Sequence, residues 1–404
     1  MLSGRRYLLE AASKGDMELL DYALGQPYSF TDLNEALLRS CSFGHNRCTR
    51  KLLSYGADVN TVDADGDSPL MLAAANDHYI VAKLLVAIGA KINHTSDRGR
   101  TALHAAVWNQ RRELVKLLIN FGADVGIQEL YGETAVMLCA RRGFPDILRI
   151  LLRVGCDIGV KSDEQDTALH YAARYNHPSC VEQLLSHDRT SVDAKNMWGY
   201  TPLMLAILYS CDKTVQLLLD SGASPIERDQ SERTALFHAV SKDRSVEIIQ
   251  RLVSYQNINV PDRYTVTPLM AAVHSNYTQP AAVLLQHGAD VHRTSRVCIG
   301  GNFDFWTVAQ VALYRENVHI LEMVLYCGAD IMGIYKFLSN EDNALRVSRN
   351  EKLVETVCFH LSCPQALKDM SRIVIRKALG TNVCESCKYL PIPPLLQAYI
   401  INVE

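Results

Sequence analysis

The chain has 404 residues, with 41 Lys and Arg against 44 Asp and Glu and a formal net charge of −3 at pH 7. That balance excludes the basic excess of a general nucleic-acid binder, and no run of about eighteen apolar residues suggests membrane insertion. With 48% hydrophobic and 21% charged residues the composition is that of a folded soluble protein, and at about 150 residues per domain the length allows two or three domains.

The start, Met1 to Glu10, lacks the apolar run of a signal peptide. Twelve cysteines scattered along such a chain read as reduced thiols, which points to a cytoplasmic protein or a nuclear one. Residues 7–24 and 35–56 predict two degenerate helix-turn-helix units, the first a polar-faced cap. From there the pattern sharpens. A Thr-Pro/Ala-Leu signal recurs at Ser68-Pro69-Leu70, Thr101-Ala102-Leu103, Thr134-Ala135-Val136 and Thr167-Ala168-Leu169. It continues at Thr201-Pro202-Leu203, Thr234-Ala235-Leu236 and Thr267-Pro268-Leu269. The steps are 33, 33, 33, 34, 33 and 33 residues, and a weaker copy follows at Thr307 after a step of 40. A second signal of the Gly-Ala-Asp type stands at Gly56, Gly89, Gly122, Gly155, Gly222, Gly288 and Gly328.

Each unit reads as two short helices and a turn. The Ser or Thr hydroxyl caps the first helix, and Pro suits its first turn, where no donor is lost. Alanines such as Ala73-Ala74 and Ala105-Ala106 let the next unit approach closely. Paired leucines, as in Leu84-Leu85 and Leu117-Leu118, mark the second helix, which Gly ends in the left-handed conformation. Helices this short are marginal alone, so stacked neighbours must supply the core. Cys41, Cys139 and Cys156 stand where the pattern has Ala and are expected as small core residues. The units around His187-Asp188-Arg189 and Tyr255-Gln256-Asn257 lack the closing Gly.

Over roughly residues 5–334 this pattern resembles the ankyrin-repeat family. The resemblance implies an all-α solenoid of about ten helix-turn-helix units with hairpin-like loops, over residues 1–334. Two degenerate units come first, then units near 66, 99, 132, 165, 199, 232, 265 and 305. His fills the fourth place of the Thr-Pro-Leu-His signature only at His104 and His170, and Met71, Met137, Met204, Phe237 or Met270 holds it elsewhere. In ankyrin arrays the hairpin tips and inner helices line a concave face. The tips put forward Arg98, Arg100, Leu130, Tyr131, Glu133, Met197, Trp198, Tyr200, Arg263 and Tyr264. The seventh position after Thr supplies Trp108, Arg141, Arg174 and Tyr314. Aromatic residues and Arg are the usual interface anchors. Trp108, Tyr131, Trp198, Tyr200, Arg141 and Arg174 therefore form the candidate surface for a target protein, Trp108 and Trp198 foremost. The alternative is that neighbouring tips only pack on one another. The seven residues inserted before Thr307, with Gly300-Gly301-Asn302, Phe303, Phe305 and Trp306, predict either a finger touching the target or aromatics buried against the last repeats. Burial is the preferred reading.

Residues 335–363 predict a bridge with one helix over 351–361, and residues 364–404 a terminal box. After Pro364, Leu367, Met370, Ile373, Val374 and Leu379 follow helical spacing and make one apolar face. Pro391, Pro393 and Pro394 then forbid helix and impose an extended segment ahead of a short apolar helix. So small an apolar unit needs a partner, either the repeats or another protein.

The box resembles a SOCS box. In that family the first helix carries Leu-x-x-x-Cys-x-x-x-aliphatic and inserts its Leu into elongin C. Leu367, Ser371 and Ile375 occupy those places here. Ser for Cys brings a hydroxyl into an apolar contact, at about 1–3 kcal/mol if it finds no partner. The family's Leu-Pro-x-Pro element, which directs binding to cullin-5, is matched by Leu390, Pro391, Ile392 and Pro393, with Tyr399 ending the helix behind it. Repeats and box together resemble the ankyrin repeat and SOCS box family. The resemblance implies a substrate-recognition adaptor that joins elongin B, elongin C, and cullin-5 with its RING protein to a target, leading to ubiquitination, proteasomal degradation and a role in intracellular signal transduction. The alternative is an ankyrin scaffold whose terminal box is structural only.

No chemistry of its own is expected of the chain. It has no Walker A loop, His-Glu-x-x-His, nucleophile elbow or kinase motif set, so neither catalytic residues nor a cofactor are expected. Cys358-x4-Cys363 and Cys384-x2-Cys387, with His360 nearby, have zinc-like spacing. The residues between the two pairs already serve the box, and no metal is expected.

Overall fold

The computed structural model describes residues 2–188, 192–254, 256–299 and 302–360. The terminal box, with Leu367, Ser371, Ile375, Leu390, Pro391, Ile392 and Pro393, lies outside the described residues. The chain divides into two compact units between Ala223 and Ser224.

The first unit is a row of helix pairs. Leu2–Lys14 pairs with Met17–Leu24, Phe30–Ser42 with Asn46–Ser54, and Pro69–Ala75 with Tyr79–Ile88. Ala102–Trp108 with Arg112–Asn120 and Ala135–Arg142 with Pro145–Arg153 follow. Ala168–Arg174 with Pro178–His187 and Pro202–Leu208 with Asp212–Asp220 complete it. The expected caps form: Thr201 Oγ1 accepts the Met204 N–H at 3.3 Å, and Pro202 takes the first turn. Inner helices are buried almost all round, as at Leu103, His104, Ala106 and Val107, whereas outer helices bury one face, as at Leu114, Val115 and Leu118. The core therefore runs between successive pairs along the unit.

Backbone bonds at the hairpin tips hold the register. The N–H of Leu130 donates to Arg98 O at 2.8 Å, Asp163 to Tyr131 O at 3.1 Å and Met197 to Glu164 O at 3.0 Å. In the loops after the outer helices, Asn60 Oδ1 accepts the Lys91 N–H at 2.8 Å and Asn93 Oδ1 the Asp124 N–H at 2.9 Å. A third link explains Gly143, whose φ is +71° and whose added Cβ would sit 2.4 Å from Nδ1 of His177 in the next pair. Cys41, Cys139 and Cys156 are buried in the places expected of Ala, and burial pushes the Cys41 thiol up to about 12.

In the second unit Ala235–Ser241 pairs with Val246–Leu252, Pro268–His274 with Thr278–Gln286, and Val308–Tyr314 with Val318–Tyr326. Where the closing Gly is missing, buried Asn257 substitutes for it: it accepts the Ser254 N–H at 2.9 Å and donates to Leu252 O at 2.6 Å. The inserted residues form an antiparallel hairpin of Thr294–Ile299 with Asn302–Thr307, Ser295 opposite Trp306. The all-α fold thus carries two strands among its described residues. The bridge holds three helices rather than one: Ile331–Leu338, Glu341–Ser348 and Glu351–His360. The first two are too short to show a helical period, and burial of Ile334, Phe337, Ala344 and Val347 decides them. No described helix is long and apolar enough to cross a membrane.

Candidate functional site

The tips and inner-helix ends of the first unit build a row of guanidinium groups and rings. The Arg100 guanidinium carbon lies 5.5 Å from the centre of the Trp108 ring, and that of Arg142 lies 4.8 Å from it. Arg141 stands 5.9 Å from Tyr175, and Arg174 stands 6.0 Å from Tyr171 and 5.9 Å from Tyr209. Cation–π contacts of this kind are worth about 0.5–1 kcal/mol at exposed sites.

Carboxylates beneath the row fix the guanidinium groups. Arg100 Nε pairs with Glu129 at 2.8 Å, Arg141 with Glu133 at 2.9 Å and Arg174 with Asp166 at 2.8 Å. The three acidic side chains are 3%, 4% and 0% exposed, so each depends on its cation. Asp166 also accepts from Asn196 Nδ2 at 2.9 Å. Burial raises its pKa, with the Asn196 bond and Arg174 pulling the other way.

The structure brings Trp108, Arg141 and Arg174 onto the ends of successive inner helices and puts Tyr131 and Trp198 on exposed tips. Tyr200 is half-buried at a tip, where its carbonyl accepts from His170 at 3.0 Å. The charged ends of Arg141 and Arg174 face carboxylates of their own unit, and Glu133, expected on the tip surface, is buried beneath Arg141. Leu130 and Met197 are exposed, as is Arg98. Sequence reasoning missed Arg142, Tyr175 and Tyr209, all exposed. Each comes one residue beyond the seventh position, and extending the reading by that residue would have found them.

In the second unit Tyr264 is exposed at a tip. Tyr314 is covered from within: Arg346 lies 4.2 Å from its ring centre, and the Trp306 ring meets it edge-on at 5.3 Å. Trp306 is buried and also meets Phe337 at 5.1 Å, while Phe305 on the same strand is exposed. The insertion thus serves the core through Trp306 and the surface through Phe305. Cys358 and His360 belong to the helix Glu351–His360, whereas Cys363, Cys384 and Cys387 lie outside the described residues. No cluster of metal-type ligands occurs among the described residues.

A family model described as ankyrin repeats matches residues 8–96, 82–162, 136–229 and 222–295, together more than half of the chain. A SOCS box model matches residues 363–401. Among curated proteins, the chain is 35% identical over 117 residues to the ankyrin repeat, SAM and basic leucine zipper domain-containing protein 1 of Dasypus novemcinctus, covering 28% of this chain and 24% of that protein. It is 39% identical over 90 residues to Rabankyrin-5 of Mus musculus, 22% of this chain and 8% of that one. It is 31% identical over 105 residues to the B-cell lymphoma 3 protein homolog of Mus musculus, 25% of this chain and 23% of that one. The chain thus spans about a quarter or less of the length of these relatives.

Proposed function

The chain belongs to the ankyrin repeat and SOCS box family, and from that membership we propose that it is a non-catalytic substrate-recognition adaptor of a cullin-RING ubiquitin ligase. The observation that carries this reading is the succession of the two matches, a SOCS box behind an ankyrin array. In this reading residues 1–334 hold a target protein, residues 335–363 form the bridge, and the box over 364–404 recruits the ligase. Leu367, Ser371 and Ile375 meet elongin C, which brings elongin B. Leu390, Pro391, Ile392 and Pro393 meet cullin-5 and so bring its RING protein. On the target side Trp108, Tyr131, Trp198 and Tyr200 supply apolar area, with Arg141 and Arg174 as ion-paired supports. The protein works in the cytoplasm or the nucleus, and its product is a ubiquitinated target destined for the proteasome. The chemistry is positional: holding a target lysine near a charged conjugating enzyme raises their effective concentration.

Leu390→Ala combined with Pro391→Ala tests the division of the box. Capture of cullin-5 should weaken while elongin B and C stay bound, and equal loss of both would overturn the assignment. Proximity labelling with and without residues 364–404 separates target from ligase, since neighbours kept by both forms belong to the array. A scaffold with a purely structural box would yield no ligase component in either form.

A further inference from the structure

Arg142 is the odd member of the row of guanidinium groups on the first unit. Arg100, Arg141 and Arg174 are each bound to a carboxylate of the chain, Glu129, Glu133 and Asp166. Arg142 is exposed and has neither an ion pair nor a side-chain hydrogen bond among the described residues. Two rings hold it instead, Trp108 at 4.8 Å and Phe144 at 5.8 Å from its guanidinium carbon. The rings attract the cation but fill none of its N–H donors.

The repeat itself does not call for a cation at this place, eight residues after the capping Ser or Thr. The two preceding repeats hold Asn76 and Asn109, whose Nδ2 donates back to Leu72 O at 2.9 Å and Ala105 O at 3.0 Å. The two following ones hold Tyr175 and Tyr209. The backbone at Arg142 is fixed from the next pair: His177 Nε2 donates to Arg141 O at 3.1 Å, and the same ring closes on Gly143. Carboxylates in the neighbouring loops are engaged elsewhere. Asp77 pairs with Arg111 at 3.4 Å, and Glu164 reaches Arg174 at 3.6 Å. Asp146 stands in the first turn of Pro145–Arg153, where the helix N-terminus holds its charge.

We propose, resting on the reading that this face holds the ubiquitination target, that Arg142 selects the target by pairing with one carboxylate of an extended acidic segment. A guanidinium fork with its donors free suits a two-pronged pair of this kind. Charge fixes the class. The internal carboxylates neutralise the other three guanidinium groups, which leaves one positive charge on the row for one carboxylate. A phosphate is close to doubly charged and needs a second free cation, whereas Arg141 next door is held by Glu133. Spacing fixes the form of the segment. Packed helices stand about 8–10 Å apart, and a polyproline II chain returns the same face every three residues, about 9.3 Å. A strand does so about every 6.6 Å and falls out of step. A segment lying along the inner-helix ends thus sets its carboxylate on Arg142. Apolar side chains three and six residues away then cover the exposed rings of Tyr175 and Tyr209.

The test selects random twelve-residue peptides by display on the full-length chain and keeps those that fail to bind Tyr175→Ser with Tyr209→Ser. These peptides should carry Asp or Glu three or six residues from an apolar side chain. By anisotropy, Gln in place of that acid, or Arg142→Gln in the chain, should each weaken binding at least about ten-fold. Arg142→Glu should bind the Lys form of the peptide and not the acidic one, a gain that loss of folding cannot imitate. Arg142→Lys, which keeps the charge without the fork, should fall between wild type and Arg142→Gln. Peptides that need the two tyrosines but are indifferent to Arg142→Gln overturn the inference and leave the target face standing. A selection in which no peptide needs the tyrosines overturns both. Tighter binding with phosphoserine than with Glu in the acid's place overturns the choice of a carboxylate.

Discussion

The His170 imidazole donates from Nε2 to the Tyr200 carbonyl at 3.0 Å, while its Nδ1 accepts the Thr167 N–H at 3.1 Å. One ring closes the cap of its own helix and ties that repeat to the next tip. The Nδ1 bond requires the neutral ring, because a proton on Nδ1 would face the Thr167 N–H, whereas Nε2 donates in either state. Burial holds the His170 pKa down to about 4.

This predicts a pH dependence with a definite sign. Unfolded, the ring takes up a proton near pH 6.5, so between about pH 6.5 and 4 the unfolded chain binds more protons than the folded one. The stabilisation is complete above that window and is lost as pH falls through it, by on the order of 3 kcal/mol. His104, likewise buried with a lowered pKa, adds in the same direction. Urea unfolding of wild type between pH 7 and 4.5 should show the slope. His170→Met, which copies Met137 and Met204 at the same repeat position, should flatten it.

The buried ion pair of Arg174 and Asp166 predicts strong non-additivity. Arg174→Met leaves a fully buried carboxylate without its cation and should cost about 3 kcal/mol or more. Asp166→Asn in the same chain should recover most of that loss. A double-mutant cycle from denaturant curves measures the coupling.

Two glycines of the same repeats separate strain from crowding. Gly122 has φ +91° with open space around an added Cβ, so Gly122→Ala should cost only the left-handed backbone term, about 1–2 kcal/mol. Gly143→Ala adds the collision with His177 and should lower Tm distinctly further. Equal losses by calorimetry would refute the inter-repeat contact as the reason for Gly143.

Trp306 is predicted to be structural. Trp306→Ala should cost about 3–5 kcal/mol by opening a cavity beside Tyr314 and Phe337. Phe305→Ala, on the exposed face of the hairpin, should cost much less. Thermal unfolding of the two variants reads the difference.

How much of this was legible depends on where the information lies. Repetition exposed the helix pairs, because Thr201, Pro202 and the leucines obey local capping and packing rules that recur with each unit. The helices Ile331–Leu338 and Glu341–Ser348 occur once and are too short to show a period, so only their tertiary burial reveals them. The candidate surface was read in position but not in state. Arg141 and Arg174 do end the inner helices, yet pairing with Glu133 and Asp166 depends on side chains brought together by the fold. The missed Tyr175 and Tyr209 follow the same repeat phase as Arg142.

The adaptor reading meets its most direct test in the mass of the complex formed on co-expression with elongin B and elongin C. Light scattering of the purified wild-type chain should show one copy of each protein, and Leu367→Asp should release both elongins while leaving the chain folded and monomeric. A wild-type chain that purifies without them, or a complex that survives Leu367→Asp unchanged, would contradict the account.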